Sequence, residues 1–285
     1  MCINKDDLKL WSDTLHKIAE APLELCPQFP LIARRFEAWW NCEVIDRPLF
    51  IAAPTNPGAG KPAGRRLDIL TDSDLWFNTK KEDMLRMNWI GDSIPNIRID
   101  FGPTALGTLI GSQFHFESDT TWFTPSISND WSNATAWSID DNDKWWRIMC
   151  GLAERVAADA AGRYLLCTPA YEASADVVLN LRGTSEFCID IIDRPQKISQ
   201  SIDALYPCWQ KTLKMLYDTS IRQGTGLTTW MRIWSNEPFA IVAADVGYML
   251  SPEDFKKVIL PSVAREASKI GRAIFHIDGP PMWRH

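Results

Sequence analysis

The sequence predicts an α/β domain built around a parallel sheet, and three observations predict it. Strand-like segments alternate with helical ones along the whole length, and no repeat, linker or low-complexity tract divides them. The stretch Ala240-Ile-Val-Ala-Ala-Asp-Val-Gly-Tyr-Met-Leu-Ser-Pro-Glu-Asp-Phe-Lys-Lys-Val-Ile-Leu-Pro261 reads as an apolar strand, a loop and a helix opened by Ser251 and Pro252. Ala273-Ile-Phe-His-Ile-Asp-Gly279 then reads as a second apolar strand. Strand, helix, strand makes a βαβ unit, which requires parallel pairing. Polar residues just past the C-terminal ends of parallel strands are where barrel enzymes keep their chemistry.

The chain has 285 residues, 46% hydrophobic and 23% charged, which is length enough for one barrel domain spanning 1–285. A formal net charge of −6 leaves no basic footprint, so nucleic acid is not expected as a partner. No apolar run is long enough to span a membrane, and Met1-Cys-Ile-Asn-Lys-Asp-Asp7 lacks the regions of a secretion signal. The seven cysteines are odd in number and contain no CxxC pair. They read as reduced thiols of a cytoplasmic protein. The fourteen tryptophans are expected in the core or as pocket walls.

Residues 1–45 form a helical segment expected to pack on the barrel. Leu8, Trp11, Leu15 and Ile18 recur at spacings of three and four, and Phe29 to Trp40 repeats the pattern after Pro27 and Pro30. Leu49-Phe-Ile-Ala-Ala53 is a short buried strand. The glycine- and proline-rich stretch 54–64 lacks the Ser/Thr that a phosphate-binding loop needs after Lys61, so it reads as a strand-end loop. A helix is predicted over 74–92, with Lys80 and Lys81 on a solvated face. Pro95 to Gly102 is a strand ending in Asp100, and 104–116 passes from a small-residue turn into an alternating strand. Residues 118–142 form a polar, Trp-containing excursion. Trp145 to Ala161 is a helix and Arg163 to Thr168 a strand. Helices follow from Ser174 to Ile191 and from Pro195 to Arg222. Gly224-Thr-Gly226 ends the last of them before a short β segment, Leu227 to Trp234.

Several residues stand where chemistry is expected. Asp100 closes a strand before a glycine turn, where a carboxylate acts as acid or base, or else simply caps the turn. Asp245 leaves the end of a buried strand and needs water, a donor or a metal there. His276 and Asp278 alternate and so face one side of their strand, as two metal ligands or as an acid with its orienting partner. The alternative is a histidine merely held by hydrogen bonds. Arg98, and Arg65 with Arg66, are the candidates to meet substrate carboxylates. His115, alternating between two phenylalanines, is expected as a surface or half-buried strand residue.

Three segments in order resemble the uroporphyrinogen decarboxylase superfamily. Asp245 to Phe255 with Leu260-Pro261 is similar to its acidic turn and "LSPxxF" helix. Ile97-Arg-Ile-Asp-Phe-Gly-Pro-Thr-Ala-Leu-Gly107 is similar to its "FSDIxxxxxALG" segment, and Leu181-Arg-Gly-Thr-Ser185 to its arginine/glycine turn. The resemblance implies a (β/α)8 TIM barrel. It also implies one of two activities: decarboxylation of a porphyrinogen-type tetrapyrrole through Asp100, or methyl transfer between a small substrate and a corrinoid or thiol carrier. In the methyltransferase branch an "HxC" pair binds zinc; His276 matches the histidine and Asp278 stands for the cysteine. A partner protein would carry any corrinoid. The arginine signature of the decarboxylases is replaced by Ile51-Ala-Ala-Pro-Thr-Asn-Pro-Gly58. A barrel that binds a tetrapyrrole or metabolite without turning it over is the third reading. Asp100, Asp245, His276 and Asp278 would line the mouth, with Trp122 as a wall. Strand centres at Leu49, Ile97, Leu165, Ile241 and Ile274, with 227–234 as an extra β segment, predict five barrel strands and a C-terminally incomplete barrel.

Overall fold

The structure is a computed structural model, which describes residues 2–54, 70–117, 120–134, 136–171 and 174–278. Most of the glycine- and proline-rich loop, Arg65, Arg66, parts of the 118–142 excursion and the last seven residues lie outside these ranges.

Helices α1 (Lys5–Ala19) and α2 (Phe29–Trp40) open the chain. The Asn4 side chain accepts from the Asp6 and Asp7 amides, and Asp7 returns the bond, a reciprocal cap that fixes where α1 starts. Strand β1 (Ile51–Ala52) follows, then α3 (Ser73–Arg86), β2 (Ile90–Gly91), β3 (Asn96–Arg98) and α4 (Ala105–Leu109). Next come the hairpin strands β4 (Phe114–Phe116) and β5 (Thr121–Phe123), α5 (Lys144–Ala160) and β6 (Leu165–Cys167). Helices α6 (Ser174–Arg182), α7 (Thr184–Asp193) and α8 (Pro195–Gln223) lead to β7 (Leu227–Thr228) and β8 (Phe239–Ala243). A 3-10 turn (Asp245–Met249) precedes α9 (Pro252–Asp254), a π-helical turn (Phe255–Ile259) and α10 (Leu260–Ala267), and β9 (Arg272–His276) closes the described chain. No helix among the described residues is long and apolar enough to cross a membrane.

Two of the sheets are parallel. β3 pairs with β6 and β6 with β7; β8 pairs with β9 through five residue pairs, from Phe239 with Arg272 to Ala243 with His276. Each parallel pair is joined through intervening helices, as parallel pairing demands. The parallel strands form one sheet of three and one of two, and no closed barrel is formed among the described residues.

Two strand assignments are corrected. Residues 49–53 were expected as a parallel barrel strand, but Ile51 and Ala52 pair antiparallel with Ile90 and Gly91. The helix expected over 74–92 therefore ends at Arg86, its C-cap Met87 already in an extended conformation. The segment expected as an extra β piece is a full member of the parallel sheet, with Leu227 opposite Leu166. Two smaller expectations also fail. Residues 105–109 form a buried helical turn where a turn was expected, because Ala105, Leu106 and Leu109 all find the core. Lys81 is not merely solvated: its Nζ lies 2.8 Å from Asp159 Oδ1, tying α3 to α5.

The core explains the order of the elements. Trp11 of α1 stacks on Tyr217 of α8 at 4.6 Å, and its indole N–H donates to Asp218. Phe29, Phe36, Trp209 and Trp234 are fully buried. Burying rings of this size dominates the apolar driving force. Asp92 is buried under Phe50, where its carboxylate accepts from Arg35, Arg47 and the Phe50 amide. Three donors satisfy a charge that burial alone would expel.

Candidate active site

The parallel strands place the chemistry. Asp100 comes two residues after the end of β3, Trp230 two after β7 and Asp245 two after β8, while His276 is the last residue of β9. Register does the rest. Ala243 is opposite His276, so the chain leaving β8 carries Asp245 alongside the imidazole. His276 Nδ1 lies 3.2 Å from Asp245 Oδ1. The edge of Trp230 meets the His276 ring at 4.9 Å and 82°.

These residues share one cleft of about 270 Å³, lined by Arg98, Asp100, Gly102, Pro103, Thr104, Ala170, Trp230, Ala243, Asp245 and His276. A wider groove of about 940 Å³ runs along α5 past Arg147, Arg155 and Gln223. It holds neither a strand end nor a carboxylate–imidazole pair, so the strand-end cleft is the candidate site.

Each wall has a local cause. Asp100 Oδ1 accepts from the Gly102 amide at 2.9 Å, closing a tight turn. Gly102 has φ +85°, and a Cβ there would meet Thr121 Oγ1 at 2.2 Å, so only glycine makes this turn. Thr104, in the left-handed region at φ 53°, then turns the chain into α4. Arg98 Nη2 is 3.8 Å from Asp100 Oδ1, an ion pair beyond hydrogen-bond range.

The acidic turn after β8 rests on Asp176 of α6. Its carboxyl accepts from the Asp245 amide at 2.9 Å and the Val246 amide at 2.6 Å. Burial, with the charge of Asp245 adding, pushes the Asp176 carboxyl up to about 7, against the two amide bonds that pull it down. Asp245 is raised as well, chiefly by burial; His276 opposes this and Asp278 adds to it.

Of the residues singled out in the sequence, Asp100, Asp245, His276 and Arg98 meet in the cleft. Asp278 is exposed and does not line it. Trp122 lies on β5 opposite His115, 54% exposed, and is not among the cleft residues; Trp230 takes the aromatic wall instead. His115 is exposed on its hairpin, the first of the two placements its alternation with phenylalanines allows. Trp230 and Asp176 were not singled out. The signal for Trp230 is its position two residues past a parallel strand, hidden because 227–234 read as one β segment. Asp176 sits inside an apolar helix face, Ala175-Asp-Val-Val178, where an acid needs a reason to be buried.

The sequence offers His276 and Asp278 as part of a zinc site. Among the described residues no group of three His, Cys, Asp or Glu side chains is placed to hold a metal ion. His276 also commits Nδ1 to Asp245, leaving Nε2 for the cleft.

No family model matches the chain, and no curated protein does. Among solved structures, a methyltransferase from Methanosarcina mazei is similar, with a TM-score of 0.55 at 12% identity, over 87% of this chain and 70% of that one. At that identity the likeness is one of fold: a mixed α/β architecture with parallel sheets.

Proposed function

We propose that this chain is a methyl-transferring enzyme on a barrel of the uroporphyrinogen decarboxylase type, acting on a small substrate in the strand-end cleft with a corrinoid or thiol as methyl carrier. The observation that carries the reading is the Asp245–His276 pair, set in one cleft with Asp100. The similarity of fold to a methyltransferase supports it.

The pair supplies a general base. With Nδ1–H donated to Asp245, the His276 Nε2 lone pair faces the cleft, the tautomer being assigned from that hydrogen bond. Nε2 takes the proton of an acceptor S–H or O–H as the sulfur or oxygen attacks the methyl carbon. The new bond to the methyl forms, the bond to the donor breaks, and its electron pair leaves with the donor. Asp245 stabilises the imidazolium so formed, and the negative charge of Asp100 in the same cleft favours it too. A corrinoid, when bound, supplies an electrophilic methyl group; its ring is larger than this cleft, so a partner protein would present it from outside. No step runs through zinc.

The test uses the full chain with methylcobalamin and 2-mercaptoethanol, following loss of the methyl–cobalt absorbance. His276→Ala is expected to lower the rate by roughly a hundredfold or more, in the range of a general base, and Asp245→Asn by less. An unchanged rate in His276→Ala removes the base from the mechanism. Porphyrinogen turnover abolished by Asp100→Asn would favour decarboxylation, and binding without turnover a non-catalytic barrel.

A further inference from the structure

Arg98 pairs its charge with Asp100 but leaves a guanidinium donor without a hydrogen bond among the described residues. Its side chain lines the cleft and is 37% exposed, and the Asp100 carboxylate stands 3.8 Å away, outside hydrogen-bond range. Its Nε is buried and has no hydrogen-bond partner among the described residues. A buried guanidinium donor left unpaired is costly and asks for an explanation, of which a molecule bound beside it is one. Arg182, a buried arginine, shows the contrast. Arg182 gives Nε to Asp190 at 2.7 Å and Nη1 to the Ile127 carbonyl and the Asn129 side chain.

The rest of the cleft is arranged around a small polar molecule. Trp230 offers an aromatic wall, and the Asp245–His276 pair offers an acceptor and an imidazole. A planar oxyanion suits Arg98 because a guanidinium presents its donors as a flat fork that matches the two oxygens of a carboxylate. Asp100 is tethered to the Gly102 amide, so it can hold the guanidinium in place without occupying its donors.

We infer that Arg98 is the carboxylate-recognition residue of this site, and that the molecule taken into the cleft is a small carboxylic acid whose reactive end reaches Asp245 and His276. The inference deepens the proposed function and rests on the strand-end cleft being its substrate site.

The test reads binding, apart from any methyl transfer. The full chain is titrated with 4-fluorobenzoate and with its neutral twin 4-fluorobenzamide, both followed by fluorine NMR. The benzoate is expected to bind saturably and at least tenfold more tightly than the benzamide. Arg98→Gln is expected to abolish that preference, and Arg98→Lys, which keeps the charge but not the fork, to retain part of it. Circular dichroism of each variant checks that it is folded. Equal binding of the two probes, no saturable binding of the benzoate, or a preference untouched in folded Arg98→Gln would overturn the inference. A preference that depends on Arg98 in a protein with no methyl-transfer activity would sink the reaction and keep the recognition.

Discussion

At Asp176 burial and hydrogen bonding pull against each other. It accepts two backbone amides that favour its ionised form, yet full burial beside Asp245 raises its carboxyl to about 7. A carboxyl whose folded value is raised binds its proton more tightly in the folded state. Its contribution to stability is then full below the ordinary carboxylate value of about 4 and is lost as pH rises towards 7. Asp7, Asp92 and Asp159 shift the other way, held below the ordinary value by lysine and arginine partners and other hydrogen bonds that outweigh burial. Their stabilisation is present above that value and lost as pH falls through it. The two classes therefore act in separate windows. Asp176→Asn keeps one carbonyl acceptor and cannot ionise, so at pH 5 it is expected to be less stable than the parent by about 1–2 kcal/mol, one buried hydrogen bond. The deficit should shrink or reverse by pH 8, where the parent holds an ionised buried acid. Urea titrations at the two pH values measure it, and a deficit that does not change between them would show that Asp176 does not titrate in this range.

At the scale of elements, the pair of glycines before β7 shows what spacing conveys and what it does not. The motif Gly224-Thr-Gly226 marks the end of α8, and Gly224 does that work: it is the C-cap, at φ 71°, with open space around it. Gly226 has a different reason. A Cβ there would come within 2.4 Å of the Trp234 ring and 2.9 Å of Leu165, so the strand can lie against β6 only if this residue has no side chain. Gly226→Ala is expected to cost about 1–3 kcal/mol by overpacking. Gly224→Ala should cost roughly 1 kcal/mol, for the left-handed backbone alone. Thermal denaturation of both variants decides between these origins: equal losses would mean that packing against Trp234 does not set the position of β7. Sequence reading finds both glycines but gives them one role, because a close approach between distant residues leaves no mark in local spacing. The same limit explains the β segment read as an extra piece. Its two paired residues are too short a run to announce a partner, and only the register with Leu166 makes them a sheet strand.

At the scale of the molecule, the parts of the site legible in the sequence are those that strand ends create. Asp100, Asp245 and His276 stand out as candidates because a polar residue where an apolar run stops falls at a strand end in a parallel sheet, whatever its role there. Trp230 and Asp176 do not stand out, since the place of each depends on what another segment does. The pairing of Ile51 with Gly91 was hidden likewise, because two-residue strands carry no periodicity. Long-range ties of this kind also join the first helices to the last strand. Glu37 of α2 takes both Nη groups of Arg272 on β9 at 2.8 Å and the Asn236 amide at 2.8 Å, while the Arg272 guanidinium sits over the Trp40 ring at 5.2 Å. Both partners are about one-fifth exposed, so the pair is screened less than a surface bridge and keeps its two-pronged geometry. Removing Glu37 leaves the Arg272 guanidinium partly buried with only the Ser235 hydroxyl and the Trp40 ring as partners among the described residues. Glu37→Ala is therefore expected to lower stability by roughly 2–3 kcal/mol, between surface and fully buried pairs. Because α1 and α2 share one core with α8 and β8, the loss should appear as a single shifted transition, with far-UV dichroism and tryptophan fluorescence coinciding. If instead fluorescence moved to lower denaturant while the dichroism of the remainder stayed in place, the first two helices would be a separately melting layer. Arg272 would then anchor them without taking part in the common core.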